Sequence, residues 1–301
     1  MTMNMLGQYY TRRFSRKYPG LFIILLDQSG SMGEYVENQQ YTKADFATTA
    51  LNHLIHRMVQ SAKFEASTGE RRKYAYLSIF GYSSTAYPLL SPSGNPVDIP
   101  FLGKNPRGTV QSVRDVLDTH TNSYQKITES HPFWIEPLHG GKTSMAEAFK
   151  CARDVVRYWL NSQPEPGQAS HQECFPPIII NISDGEDNGT ADTLAVANEI
   201  RSLGTQQGSI LIFNCHFTRE IGQSCVFPSD VRELAYLHSP FAEKLFEMSS
   251  TIPEPLRQKA TRELMLNQPL ANTARGFVYN ADTDILVKFL NWGTQGSTAL
   301  E

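Results

Sequence analysis

Leu21-Phe22-Ile23-Ile24-Leu25-Leu26-Asp27-Gln28-Ser29-Gly30-Ser31-Met32-Gly33-Glu34 decides the reading of this chain. Six apolar residues run without a break. A run of that length, rich in Ile and Leu, predicts a central strand of a parallel sheet, buried on both faces. It ends in a carboxylate and two hydroxyls on alternate positions, so the polar residues fall at the carboxyl end of the strand. In open α/β sheets that end borders the ligand crevice.

A second stretch repeats the pattern. Pro177–Ile182, PIIINI, predicts another buried strand and runs into Ser183-Asp184-Gly185-Glu186-Asp187. Further strands are expected at Tyr74–Phe80, Thr85–Leu90, Ser209–Cys215 and Gly276–Tyr279. The short link 81–84 suits an antiparallel pair. Helical spacing follows Thr42-Lys43-Ala44-Asp45 and Ser144-Met145-Ala146-Glu147, both of which have the form of a capping box. Helices are also expected at Ala191–Leu203, between Asp230 and Leu266, and at Thr283–Trp292. Alternating strands and helices predict an α/β fold. Its central sheet is doubly wound and mainly parallel, with one antiparallel edge strand and helices on both faces.

The expected organisation is a basic tail over 1–18, one domain over 19–293 and a disordered tail over 294–301. An insertion near 91–132, rich in Pro, Gly and Asn, contains one expected helix near Val110–Thr119. The tail carries Arg12, Arg13, Arg16 and Lys17 and is read as solvated.

The chain has 301 residues and a formal charge of -3; 40% hydrophobic residues suffice for a core, and 19% charged residues argue against disorder. Near-neutral charge predicts no nucleic-acid partner. No apolar run approaches the roughly 18 residues of a membrane span, and no secretory leader is evident. The four cysteines form no CxxC pair and are read as reduced thiols, which predicts a cytoplasmic chain.

Three loops can converge at the crevice. They supply Asp27, Ser29 and Ser31, then Thr143 from HGGKTSM, then Asp184. Two carboxylates and three hydroxyls are hard oxygen donors, suited to Mg2+, Mn2+ or Ca2+ and poorly to zinc. Glycines at 30, 140, 141 and 185 let the backbones approach. Gly141-Lys142-Thr143 copies the end of a P-loop, but the glycine needed at 136 is Glu. Ser29 and Ser31 lack a G-x-S-x-G elbow, and His53 and His56 lack the HExxH pattern.

DQSGSM, GGKTSM and ISDGED, in that order, resemble the von Willebrand factor A family and its metal-ion-dependent adhesion site (MIDAS). The resemblance covers roughly 19–293. It implies a Mg2+ or Mn2+ ion held by Asp27, Ser29, Ser31, Thr143 and Asp184. It also implies a protein partner whose acidic side chain completes the shell. The family commonly has Pro after Gly-x-Thr, where this chain has Ser144. The C-terminal FVYNADTDILVKFLNWGT is similar to bacterial intracellular members. Such members act as adaptors beside ATPases, kinases or phosphatases in stress and defence systems. The alternative function is a metal-dependent hydrolase or phosphatase at the same site.

Overall fold

The computed structural model describes residues 9–66, 69–118, 123–184, 192–216, 224–237, 239–264, 266, 268–281 and 283–294. The elements, in chain order, are strand β1 (Gly20–Asp27), helix α1 (Lys43–Ser61), β2 (Ala75–Tyr82), β3 (Ala86–Pro88), β4 (Val97–Asp98) and α2 (Ile99–Lys104). Next come β5 (Gly108–Asp118), β6 (Ser123–Phe133), α3 (Met145–Asn161), β7 (Ile178–Ser183) and α4 (Thr193–Ser202). Then follow β8 (Gly204–Thr205), β9 (Gly208–Ser209), β10 (Leu211–His216), β11 (Cys225–Val226), α5 (Pro240–Met248), α6 (Glu254–Glu263), β12 (Phe277–Tyr279) and α7 (Thr283–Thr294).

The main sheet has the order β11-β12-β10-β7-β1-β2-β3, with β4 also paired to β2. β1, β2, β7, β10 and β12 run parallel. The short strands β3, β4 and β11 are antiparallel and sit at the two edges. The sheet is therefore the mainly parallel, doubly wound α/β type that the sequence predicts.

β1 explains its own composition. Phe22, Ile24 and Leu26 face a core built with α1, α2, α6 and α7. Leu21, Ile23 and Leu25 face a second core with α3, α4 and α5. Both faces are dry, so alternation would leave polar groups buried. Each of these side chains is at most 1% exposed, and burying one contributes roughly 1.5–3 kcal/mol. The chain leaves β1 towards β2 on one side, and returns at β7 on the other. The β1–β7 junction is thus the topological switch point, where a crevice opens at the carboxyl ends.

Three expectations change. The segment 9–18 does not behave as a solvated tail, although Arg13, Arg16 and Lys17 are exposed. Phe14 is buried edge-on against Phe22 and Phe175, with ring centroids 5.2 and 5.4 Å away. Phe14, set among the basic residues, therefore holds this strap to the core.

The helix expected near Val110–Thr119 is instead strand β5, in a long hairpin with β6. Val110, Val113 and Val116 repeat every three residues, which imitates a helical face. Yet the segment is rich in β-branched residues, and its partner strand carries Ile127 and Thr128. Residues 119–122, between the two strands in sequence, lie outside the described residues.

Finally, Thr42 and Asp45 form the full reciprocal capping box, but Ser144 does not. Its φ of -111° and ψ of 64° take the hydroxyl away from the helix amides. Its Oγ donates instead to the Ser84 carbonyl, 3.1 Å away.

Candidate functional site

The first loop is folded by its own side chains. The Ser29 amide donates to Asp27 Oδ1 at 2.9 Å, which turns the chain sharply after β1. The hydroxyls of Ser29 and Ser31 then meet at 3.1 Å. Gly30–Gly33 form a 3-10 turn pinned by buried Met32. Asp27 and Ser29 are buried, while Ser31 is half-buried.

The second loop is laid against the first by backbone bonds. The Gly140 amide donates to the Gln28 carbonyl at 2.9 Å, and the Gly30 amide to the Gly141 carbonyl at 3.1 Å. A Cβ on Gly141, at φ 78°, would lie 2.7 Å from Ser84 Oγ, so both space and backbone call for glycine there. Upstream, Asn52 on α1 anchors the approach: its Oδ1 accepts from the Trp134 and Ile135 amides, and its Nδ2 donates to the Ile135 carbonyl. Thr143 is buried at the end of this loop, and Lys142 is exposed.

The third loop brings Ser183 and Asp184. Ser183 Oγ donates to Asp27 Oδ2 at 2.8 Å. Lys43 Nζ donates to Asp184 Oδ2 at 3.1 Å and pairs with Glu34 Oε2 at 3.0 Å. Asp184 Oδ1 is buried and has no hydrogen-bond partner among the described residues. His216, at the end of neighbouring β10, hydrogen-bonds the Asp184 backbone and stacks on Tyr279 at 4.5 Å. Burial pushes the His216 imidazole down to about 4.

Asp27, Ser29, Ser31 and Asp184 therefore border one mouth, with Thr143 in the loop bonded to it. Gly185, Glu186 and Asp187 lie outside the described residues. Sequence reasoning missed Ser183, Lys43 and His216. Ser183 carried a readable signal, a hydroxyl directly before Asp184 at a strand end. Lys43 sits 141 residues from Asp184, and no local pattern joins them.

The electrostatics of the mouth suit a cation. Burial first, and the charge of Asp184 second, push the Asp27 carboxyl up to about 7, against the hydrogen bonds from Ser29 and Ser183. The two carboxyls are buried close enough to interact, and one Asp184 oxygen has no hydrogen-bond partner among the described residues. A buried polar atom left so is costly. With hydroxyl oxygens beside it, the donor set fits a hard divalent cation.

A chain of buried amides lies deeper along the sheet. Tyr82 Oη donates to Asn181 Oδ1 at 2.9 Å, and Asn181 Nδ2 to Asn214 Oδ1 at 3.0 Å. Asn214 Nδ2 in turn donates to Ser249 Oγ at 2.9 Å. This network ties β2, β7 and β10 to the end of α5.

No protein-family model matches the sequence, and no curated protein matches it. Among solved structures the chain is similar to an aerotolerance-related membrane protein from Bacteroides fragilis bearing multiple mutations to serine. That match has 17% identity over 65% of this chain and 67% of the other, with a TM-score of 0.35. It is also similar to a von Willebrand factor type A protein from Catenulispora acidiphila, at 10% identity over 67% of this chain and 34% of the other, TM-score 0.37. A third is proximal thread matrix protein 1 from the mussel byssus, at 12% identity over 91% of this chain and 47% of the other, TM-score 0.45. The chain thus spans less than half the length of the last two. At such identities and TM-scores, these likenesses assign neither a metal nor a partner to this chain.

Proposed function

We propose that this chain is a von Willebrand factor A-type binding domain. Its metal-ion-dependent adhesion site is formed by Asp27, Ser29, Ser31, Thr143 and Asp184, and takes Mg2+ or Mn2+. The observation that carries the reading is the mouth at the β1–β7 switch point. It gathers the paired Ser29 and Ser31 hydroxyls, the buried Asp27 carboxyl and an Asp184 oxygen that has no partner among the described residues.

When bound, the cation supplies an open position for an oxygen ligand from outside. The chain's own groups do the rest. Asp27 fixes the first loop through Ser29, Ser183 orients Asp27, and Thr143 closes the mouth from the second loop. In a partly dry site the attraction between the loaded mouth and a partner's carboxylate is strong. The exposed Lys142 at the rim adds to that attraction.

The partner in this reading is a protein that presents an acidic side chain. All four cysteines are unlinked, which suits a reducing, cytoplasmic setting. There the domain serves as an adaptor for a stress, defence or signalling assembly. No helix among the described residues is long and apolar enough to cross a membrane.

The test is affinity capture from a lysate of the source cells. Wild type in Mg2+ is compared with wild type in EDTA and with Thr143→Ala in Mg2+. A protein held only by metal-loaded wild type supports the reading. Capture indifferent to both EDTA and Thr143→Ala contradicts it.

A further inference from the structure

Lys43 stands where a cation is poorly placed. It is the first residue of α1, directly after the Thr42 cap, and the positive end of a helix dipole disfavours a positive side chain there. Its side chain is only 5% exposed, and lysines are almost never so buried unless paired. Here the pairing is with the mouth. Nζ lies 3.1 Å from Asp184 Oδ2 and 3.0 Å from Glu34 Oε2. The Lys43 amide also donates to the Glu34 carbonyl at 3.0 Å. Lys43 therefore joins the loop that carries Ser31 to the loop that carries Asp184.

Resting on the metal-site reading above, we propose that Lys43 is the charge-setting residue of the site. It makes the cation weakly held by the free protein and selective for an anionic outside ligand. Two features of the geometry lead there. The first is that Asp184 Oδ2 is engaged by Lys43, which leaves the buried Oδ1, without a partner among the described residues, as the oxygen available to the mouth.

The second is the charge balance. In the metal-binding form, with both carboxyls deprotonated, Asp27, Asp184 and the Lys43 ammonium leave one net negative charge among the described buried groups. A divalent cation then turns the mouth net positive, and a carboxylate from outside neutralises it. Without Lys43 the same ion would already be neutralised by the two aspartates. Metal alone would then bind more tightly, and an anion would gain little. Glu34 is about half exposed, so water screens much of its charge. Lys43 is thus a positioning residue that couples metal binding to anionic-ligand binding.

The test is a Mn2+ titration of the full chain followed by electron paramagnetic resonance. It is run in chloride and in acetate at equal ionic strength, with acetate as the carboxylate probe. Wild type should bind weakly, and acetate should tighten binding several-fold. Lys43→Met should bind Mn2+ at least about tenfold more tightly and lose the acetate effect, whereas Lys43→Arg should behave as wild type. Lys43→Gln is neutral yet still able to donate to Asp184, and it reports the same change should Lys43→Met not fold. Melting in EDTA shows which variants are folded.

Wild-type binding that neither neutral variant strengthens would overturn the role of Lys43 while leaving the metal site intact. Undiminished Mn2+ binding by Asp27→Ala would overturn the metal-site reading itself. The absence of binding in every protein would overturn both. Binding by a neutral variant where wild type shows none would support the proposal.

Discussion

Asp27→Asn should make the metal-free protein more stable above neutral pH. The Asp27 carboxyl is pushed from an ordinary value of 3.8 up to about 7, chiefly by burial. A folded-state value above the unfolded one means that the folded chain holds its proton more tightly. The associated stability is fully present below about 3.8 and is lost as pH rises through about 7. The interval corresponds to roughly 4 kcal/mol between the two protonation states, which sets the ceiling of the effect.

Asparagine keeps the local bonding. Its Oδ1 can accept from the Ser29 amide, and its Nδ2 can donate to Ser183 Oγ. What disappears is the buried charge. His216 acts with the opposite sign over nearly the same window. Its value is lowered from 6.5 to about 4, so its contribution is present above 6.5 and is lost as pH falls through about 4. The two contributions therefore offset each other in the wild-type profile, and the difference between the two proteins isolates Asp27.

The assay is urea unfolding of both proteins in EDTA from pH 4 to pH 8.5. The variant should match wild type near pH 4 and gain steadily to a plateau above pH 7. Mn2+ should stabilise wild type at pH 8 and leave the variant unchanged. A variant less stable than wild type at pH 8 in EDTA would refute the buried-charge argument.

Asn181→Leu removes the link between Tyr82 and Asn214 and should cost on the order of 3 kcal/mol, read as a fall in the urea midpoint; a change within a few tenths would mean that the network re-pairs. Phe14→Ala should cost about 3–5 kcal/mol because the ring is wedged between Phe22 and Phe175. A wild-type melting curve for that variant would show that the strap over 9–18 lies loose. His216→Phe should make stability fall more steeply with rising pH between 4 and 6.5 than in wild type, since it removes a contribution that opposes that of Asp27; an unchanged profile would count against a buried neutral imidazole.

Much of this architecture is legible in the sequence because its signals are local. β1 is an uninterrupted apolar run and β7 opens on three isoleucines, and burial on both faces is the simple reading of such runs. Asp27, Ser29 and Ser31 lie within five residues, so one turn can gather them. What stayed hidden depends on distant partners. Lys43 reads as an ordinary surface residue at a helix start until Asp184 is placed beside it. Asn181 and Asn214 interrupt two apolar strands and gain meaning only when β7 and β10 pair in register. In β5 the valines three apart satisfy a helical template, while the pairing that decides the matter comes from the second strand. Ser144 has the composition of a cap, yet the Ser84 carbonyl competes for its hydroxyl.

The central claim is that one divalent cation sits in the mouth at the β1–β7 switch point. Crystals of wild type grown with Mn2+, measured for anomalous scattering, test it most directly. A single strong peak is expected, bounded by Ser29, Ser31 and Thr143, with Asp27 and Asp184 behind it and Lys43 still on Asp184. A mouth without an anomalous peak, with Asp27 protonated against Asp184, would contradict it.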